Sequence, residues 1–309
     1  MTESRRGLWH SARPLPRLGS SGLLSRLTVA LEYLEHIDIR VPTNGRARSA
    51  ARLLERLGEG REVIEAGNLT RLRLIEAAHR TAWEVSLIAY ARYVATRGAN
   101  PFPDDRLQVM MRGAELPERF GTQARDAQFE MYVGAMLRLG GADVRQGEPD
   151  LRLLFGPERV GIAAKRVSSC EPTQMRRHLN KAADQILAAD MRGFIAINLD
   201  SRFLEMALPR SEPDRIAAFE GIFDELASYE EALRQQQHVL GLMVYGYLAE
   251  WVFHDTALPE LKYVSPFRWY GWTDDVAGKL LFDDFTSSWR ERVDAHLRAF
   301  LCWRDLVCA

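Results

Sequence analysis

The run Pro149-Asp150-Leu151-Arg152-Leu153-Leu154-Phe155-Gly156-Pro157-Glu158-Arg159-Val160-Gly161-Ile162-Ala163-Ala164-Lys165-Arg166 decides how the rest of the chain is read. Leu151 to Phe155 and Arg159 to Val167 read as two strands joined by the hairpin-type connection Gly156-Pro157-Glu158. The near-continuous apolar stretch from Val160 to Ala164 is that of a strand buried on both faces. Asp150 stands at the start of the first strand, and Lys165 lies 15 residues later near the end of the second. In a hairpin of that length the two points return to the same end of the sheet. A carboxylate beside a lysine there can hold a divalent cation and a water, the acid binding the metal and the lysine orienting the nucleophile. Phosphodiester hydrolysis needs those parts, because the metal offsets developing charge and lowers the water pKa. The plain alternative is an Asp–Lys ion pair at a sheet end.

Working outward, residues 122–139 read as a helix stopped by Gly140-Gly141, Ala142 to Gln146 as a short strand, and residues 147–150 as a turn. Downstream, Thr173 to Ala189 is helical and Phe194 to Leu199 is a further strand. The order is helix, three-strand meander, helix, strand. On the first helix Phe129, Val133 and Met136 mark the apolar stripe, and Glu130 sits on its border, where a glutamate needs a partner. On the second, Gln174, His178, Lys181 and Gln185 fall in one row flanking Met175, Leu179, Ala182 and Ile186. That row also reads as an ordinary solvated helix face.

Taken together, this order resembles the PD-(D/E)xK nuclease superfamily, the restriction-endonuclease-like fold. The resemblance covers roughly residues 123–200 and rests on Glu130, on Pro149-Asp150, on Ala163-x-Lys165, and on the helix bearing Lys181 and Gln185 with the strand after it. It implies an α/β fold, a mixed sheet flanked by helices, with Asp150, Lys165 and Glu130 as catalytic residues. It also implies Mg²⁺ or Mn²⁺ as cofactor and nucleic acid, DNA first, as partner; a homodimer is compatible with it. One position departs: the superfamily carries Asp or Glu two residues before the lysine, and here that residue is Ala163. Glu130 can supply the second carboxylate, with the Ala164 carbonyl as a further metal ligand; alternatively the site no longer binds metal and the fold serves nucleic-acid binding or assembly. A positive surface for nucleic acid is expected from Arg166, Arg176, Arg177, Lys181 and the neighbouring Gln185. A metal-dependent nuclease of DNA, or of RNA, acting in repair, restriction or defence is the leading expectation. The alternatives are the inactive binding protein and an unrelated α/β protein.

The remainder frames that core. Residues 1–20 read as a loose tail rich in Arg, Pro, Gly and Ser, residues 21–115 as a helical subdomain, and residues 116–309 as the α/β domain. Leu23, Leu27, Ala30, Leu31 and Leu34 mark one helix face after Ser20 and Ser21 as caps, and Leu69 to Thr96 repeats the pattern until Asn100-Pro101. Pro213 to Gln237 is predicted helical, Val239 to Trp251 one long strand, Leu261 to Trp272 an edge strand or hairpin, and Trp289 to Leu306 a closing helix. The aromatics Phe267, Trp269, Tyr270 and Trp272 suit core packing better than base stacking. A net charge of −1 announces no global basic field, so nucleic-acid binding requires a local one. Only Lys165, Lys181, Lys262 and Lys279 among the 41 basic residues are lysine, which makes each lysine more informative. Cys170, Cys302 and Cys308 have neither metal-ligand spacing nor an even count. Neither a signal peptide nor a membrane span is expected, so the cytoplasm is the expected location.

Overall fold

In the computed structural model the apolar run around Ile162 forms the strand it predicts, Glu158–Arg166, inside a mixed sheet. The structure describes residues 20–62, 68–95, 102–113, 123–155, 158–167, 171–200, 225–226, 228–246, 248–252, 260–264, 268–271, 291–293 and 295–300. The elements in chain order are α1 (Ser20–His36), α2 (Arg46–Gly58), α3 (Leu69–Ala95), α4 (Asp104–Met111) and α5 (Gln123–Leu139), then β1 (Asp143–Gly147), β2 (Asp150–Phe155) and β3 (Glu158–Arg166). There follow α6 (Pro172–Ala188), β4 (Arg192–Asn198), α7 (Glu230–Arg234), β5 (Val239–Tyr245), β6 (Leu248–Val252), β7 (Glu260–Val264) and β8 (Arg268–Gly271). The chain divides into two compact units. A helical unit takes the chain up to Gln146 and regains it for the helical residues 291–300; a sheet unit takes Gly147 to Glu250 and regains it for β8.

Five strands form the sheet of the second unit, in the order β2-β3-β4-β5-β8. β3, β4 and β5 run parallel, with Ile162 opposite Phe194 and Ile195 opposite Leu242; β2 and β8 are antiparallel to their neighbours. Parallel central strands need a crossover, and α6 supplies it between β3 and β4. The helix therefore runs back against the strand direction, so its first turn lies at the carboxyl ends of β3 and β4 and its last turn at their amino ends. Met175, Leu179, Ala182, Ala183 and Ile186 face the sheet and close a core with Ala163, Ile195, Ile197, Leu242 and Val244. Full burial of a side chain such as Ile186 contributes about 1.5–3 kcal/mol. Gly193 is glycine because a Cβ there would overlap the Gly161 carbonyl of the adjoining strand.

In the helical unit α3 is buried on nearly every face from Ile75 to Ala91, including the polar Glu76, His79, Arg80, Thr81, Glu84 and Ser86. α5 ends at Gly140-Gly141 as its sequence predicts; Gly141 takes φ +91°, and its N–H and that of Ala142 reach back to the Arg138 and Leu137 carbonyls. α1 begins at Ser20 itself, ahead of the apolar run, and residues 1–19 of the predicted tail lie outside the described residues.

The segment Val239 to Trp251 is not one strand. β5 stops at Tyr245, where its neighbours stop: β4 pairs it only as far as Asn198↔Tyr245 and β8 only along Gly241–Val244. With no ladder partner to continue on, the chain leaves at Gly246, and β6 pairs with β7 in a separate two-stranded sheet. The segment Leu261 to Trp272 likewise divides, β7 joining β6 while β8 edges the main sheet. Of the helix expected over Pro213 to Gln237, residues 225–226, 228 and α7 are described as helical, whereas 201–224 and 227 lie outside the described residues. Among the described residues no helix is long and apolar enough to cross a membrane.

Candidate functional site

The β2–β3 register fixes the site. Leu151 pairs with Ile162, so Asp150 continues the ladder beside Ala163, at the end where β3 runs on past its partner. Beyond the start of β2 the edge of β3 presents the N–H and C=O of Ala164 to side chains rather than to a strand. The Asp150 carboxylate takes that place: its Oδ2 accepts from the Ala164 N–H at 2.7 Å and from the Lys165 ammonium at 3.0 Å. Lys165 Nζ also donates to the Ala164 carbonyl at 3.1 Å. Both side chains are largely withdrawn from water, at 13% and 14% exposure, so the contact is a partly desolvated ion pair and not a surface one. Burial raises the Asp150 pKa above the ordinary carboxylate value, and the charge of Lys165 and the Ala164 N–H oppose that rise only in part. Among the described residues Asp150 Oδ1 has no hydrogen-bond partner.

Ala163, the position where the resemblance expects an acid, is fully buried in the core beneath α6. Lys165, two residues further along β3, lies on the same face. The space a third carboxylate would need is therefore filled by helix α6. The Ala164 carbonyl, expected as a metal ligand, is instead an acceptor for Lys165. Glu130 belongs to the helical unit, where its half-sunk carboxylate pairs with Arg106 of α4 at 3.8 Å. Among the described residues no group of three or more His, Cys, Asp or Glu is placed to hold a metal ion. The described residues around Asp150 thus do not build a protein cage for a divalent cation; they offer it one free carboxylate oxygen.

The expected basic residues separate along and around α6. Arg176 is exposed, with its guanidinium 6.0 Å from the centre of the Tyr229 ring. Arg177 and Lys181 are exposed and have no acid partner among the described residues. Arg166 is half-buried and, by strand alternation, points to the face away from α6. Gln185 lies near the last turn, about 20 Å along the helix from its first residue, so it sits towards the opposite end of the sheet from Asp150 and Lys165. Its Oε1 is buried without a hydrogen bond. Within the row read from the sequence, Gln174 and His178 are the members near the Asp150 end.

Sequence reasoning missed two features. Asn198 and Asp200, both buried at the carboxyl end of β4, bind each other: Asn198 Nδ2 donates to Asp200 Oδ2 at 3.0 Å, and the Asp200 N–H to Asn198 Oδ1 at 2.8 Å. The available signal was an Asn-Leu-Asp step directly after the apolar run Phe194 to Ile197. Tyr229, whose hydroxyl donates to the Pro172 carbonyl at 3.1 Å, carried no such signal. Among the aromatics weighed for base stacking, Trp269 and Tyr270 pair through the backbone of β8 with Met243 and Leu242, and Phe267 and Trp272 lie outside the described residues.

Fold and site together define an α/β protein with a five-strand mixed sheet, helices packed on it, and a desolvated Asp–Lys pair at the carboxyl end of a buried strand. Comparison with known proteins finds no match to a protein-family model, to a curated protein or to a solved structure.

Proposed function

We propose that this is a nuclease-like protein of the restriction-endonuclease-like type that binds nucleic acid, DNA first, without needing a metal ion. The observation that carries this reading is that the Lys165 ammonium is bonded to two of the three groups nominated as cation ligands, Asp150 Oδ2 and the Ala164 carbonyl. A fixed positive charge thus stands where a divalent ion would, and Ala163 leaves no room beside it for a second carboxylate. The ammonium can donate to a phosphate oxygen, but Asp150 already balances its charge, and it does not supply the water activation that a metal does. The cations on the exposed face of α6 extend the same chemistry.

A second reading, the Mg²⁺- or Mn²⁺-dependent nuclease, is favoured by one observation: among the described residues Asp150 Oδ1 has no hydrogen-bond partner. There Asp150 would hold the ion, with substrate phosphate oxygens completing its coordination, and the ion would lower the pKa of an attacking water; Lys165 would orient that water. Glu130 enters this reading only as the carboxylate proposed to replace the missing one.

The test is a pair of measurements on wild type and Asp150→Ala. Binding of labelled duplex and single-stranded DNA is expected in EDTA and is expected to weaken as salt rises. Calorimetric titration with Mg²⁺ is expected to show no Asp150-dependent site. Cleavage that requires metal and disappears in Asp150→Ala would establish the second reading instead, and absence of binding at low salt would remove both.

A further inference from the structure

Resting on the reading of this protein as a nucleic-acid binder, we infer that its anchoring phosphate contact is Arg176, held in place by Tyr229. Arg176 lies in the second turn of α6, at the end of the helix that reaches the carboxyl edge of the sheet. Its guanidinium rests over the Tyr229 ring, 6.0 Å from the centroid, and it makes no ion pair with any described acid. Beneath it the ring is fixed on two sides. Tyr229 is buried in the core formed by α6, β4 and β5, and its hydroxyl donates to the Pro172 carbonyl in the first turn of the same helix.

The physical consequence is pre-organisation. A free arginine side chain loses on the order of 2 kcal/mol of rotamer entropy when it is immobilised. A guanidinium already stacked on an aromatic face has lost part of that freedom before any ligand arrives. A ring contact of this kind uses no N–H group of the cation, so the planar fork stays available for two parallel bonds to a phosphate. Arg177 and Lys181 carry the same charge on the same helix but have no ring beneath them among the described residues. Arg176 is therefore the cation on this face that combines exposure, lack of an acid partner and a fixed orientation. Phosphate of a nucleic-acid backbone is the ligand class that suits such a cation, since it offers a negative charge at every nucleotide.

The experiment is fluorescence anisotropy of a labelled 20-nucleotide duplex and single strand against the full-length protein across a salt series. Arg176→Ala is expected to weaken binding roughly three- to tenfold at low salt and to reduce the salt slope by about 0.9 for the duplex or about 0.7 for the single strand. Arg176→Lys should keep the slope and lose affinity, because an ammonium keeps the charge but not the planar stack. Tyr229→Phe retains the ring and should bind like wild type, whereas Tyr229→Leu should lose affinity and lose nothing further when combined with Arg176→Ala. The last comparison separates positioning from folding, and circular dichroism checks that each variant is folded. If wild type binds but Arg176→Ala does not change the slope, or Lys181→Ala weakens binding as much, the anchoring role is overturned while the nucleic-acid reading stands. If no nucleic acid binds at any salt, the reading and the inference fall together. If Arg176-dependent binding appears only with anionic phospholipid vesicles, the partner class is overturned.

Discussion

The helical unit and helix α6 of the sheet unit differ in how far their cations are paired with acids. In the helical unit arginines meet acids: Arg48 pairs with Glu35, Arg56 and Arg71 share Glu62, Arg61 meets Glu59, Arg92 meets Asp104, and Arg106 meets Glu130. Deeper still, the buried Arg46 of α2 donates to Gln128 of α5, and Gln128 donates to Glu84 of α3, so three helices are tied through polar atoms in the core. In the sheet unit the exposed face of α6 carries Arg176, Arg177 and Lys181 without acid partners among the described residues. Its buried pair, Asp150–Lys165, lies at a strand end and leaves one carboxylate oxygen unused. These six arginine–carboxylate pairs thus lie in the helical unit, and none lies at the exposed Arg176, Arg177 and Lys181 of α6 among the described residues. A net charge of −1 hides this difference, because the sum over the chain says nothing about where neutralisation happens.

The sharpest way to break the contrast is to cut the buried relay. Gln128→Leu leaves both Arg46 and Glu84 without their shared partner in a water-poor core. It should cost about 3–5 kcal/mol in urea unfolding, the range for removing one partner of a buried polar set. A cost below about 1 kcal/mol would place the relay with surface ion pairs and dissolve the distinction drawn here.

A slightly smaller effect is expected from acid. His79 is buried, with Nδ1 against the Ile75 carbonyl at 2.9 Å and Nε2 against the Ser20 hydroxyl at 3.1 Å. Burial lowers its pKa to about 4, so the folded chain resists the proton that the unfolded chain accepts near 6.5. The stability tied to His79 is therefore complete above pH 6.5 and is lost as pH falls from there towards 4, by roughly 3 kcal/mol in all. Thermal unfolding followed by helical circular dichroism should show this slope, and His79→Gln should flatten it. An unchanged slope in the variant would assign the acid sensitivity elsewhere.

The smallest effects concern the sheet unit's own pair, and there the sign matters more than the size. The Asp150 pKa is raised, so the folded state favours its protonated form, and the associated stability is lost as pH rises through the folded value. The ionised form of the carboxylate is thus a net cost that Lys165 offsets incompletely. Asp150→Asn should leave the melting temperature unchanged or raise it slightly, while Lys165→Met strands the carboxylate and should cost about 1–3 kcal/mol. Equal losses in both variants would mean that the pair stabilises the fold, and that Asp150 was never a strained group awaiting a ligand.

How much of this could be read from the chain depends on the distance over which each feature is encoded. The strand at Ile162 was legible because a strand buried on both faces leaves an unbroken apolar run. The Asp150–Lys165 meeting was legible because hairpin arithmetic needs only the 15 residues between them. What α6 does to Ala163 was not, since an alanine in a strand looks the same whether a helix or water lies above it. Nor was the platform under Arg176, because Tyr229 comes from a segment 57 residues beyond the Pro172 it is bonded to. The relay through Gln128 spans separations of 82 and 44 residues and gives no local periodic signal. The break at Gly246 was hidden for a related reason: a strand's length is set by its neighbours' lengths, which its own alternation does not record.

The closed packing over Ala163 also bears on how the protein could change over generations. Every alanine codon is a single base away from a codon for aspartate or glutamate, so the genetic step to an acid at this position is as short as any. The physical step is long. Ala163 is fully enclosed beside Met175, Leu179 and Ala182, and a carboxylate there would be both oversized and stripped of water. Restoring the acid would need α6 to be trimmed or displaced first, and each such change opens a cavity before it brings any benefit. Selection acting one substitution at a time would meet that valley at the outset, so it is the packing and not the codon that holds the alanine in place.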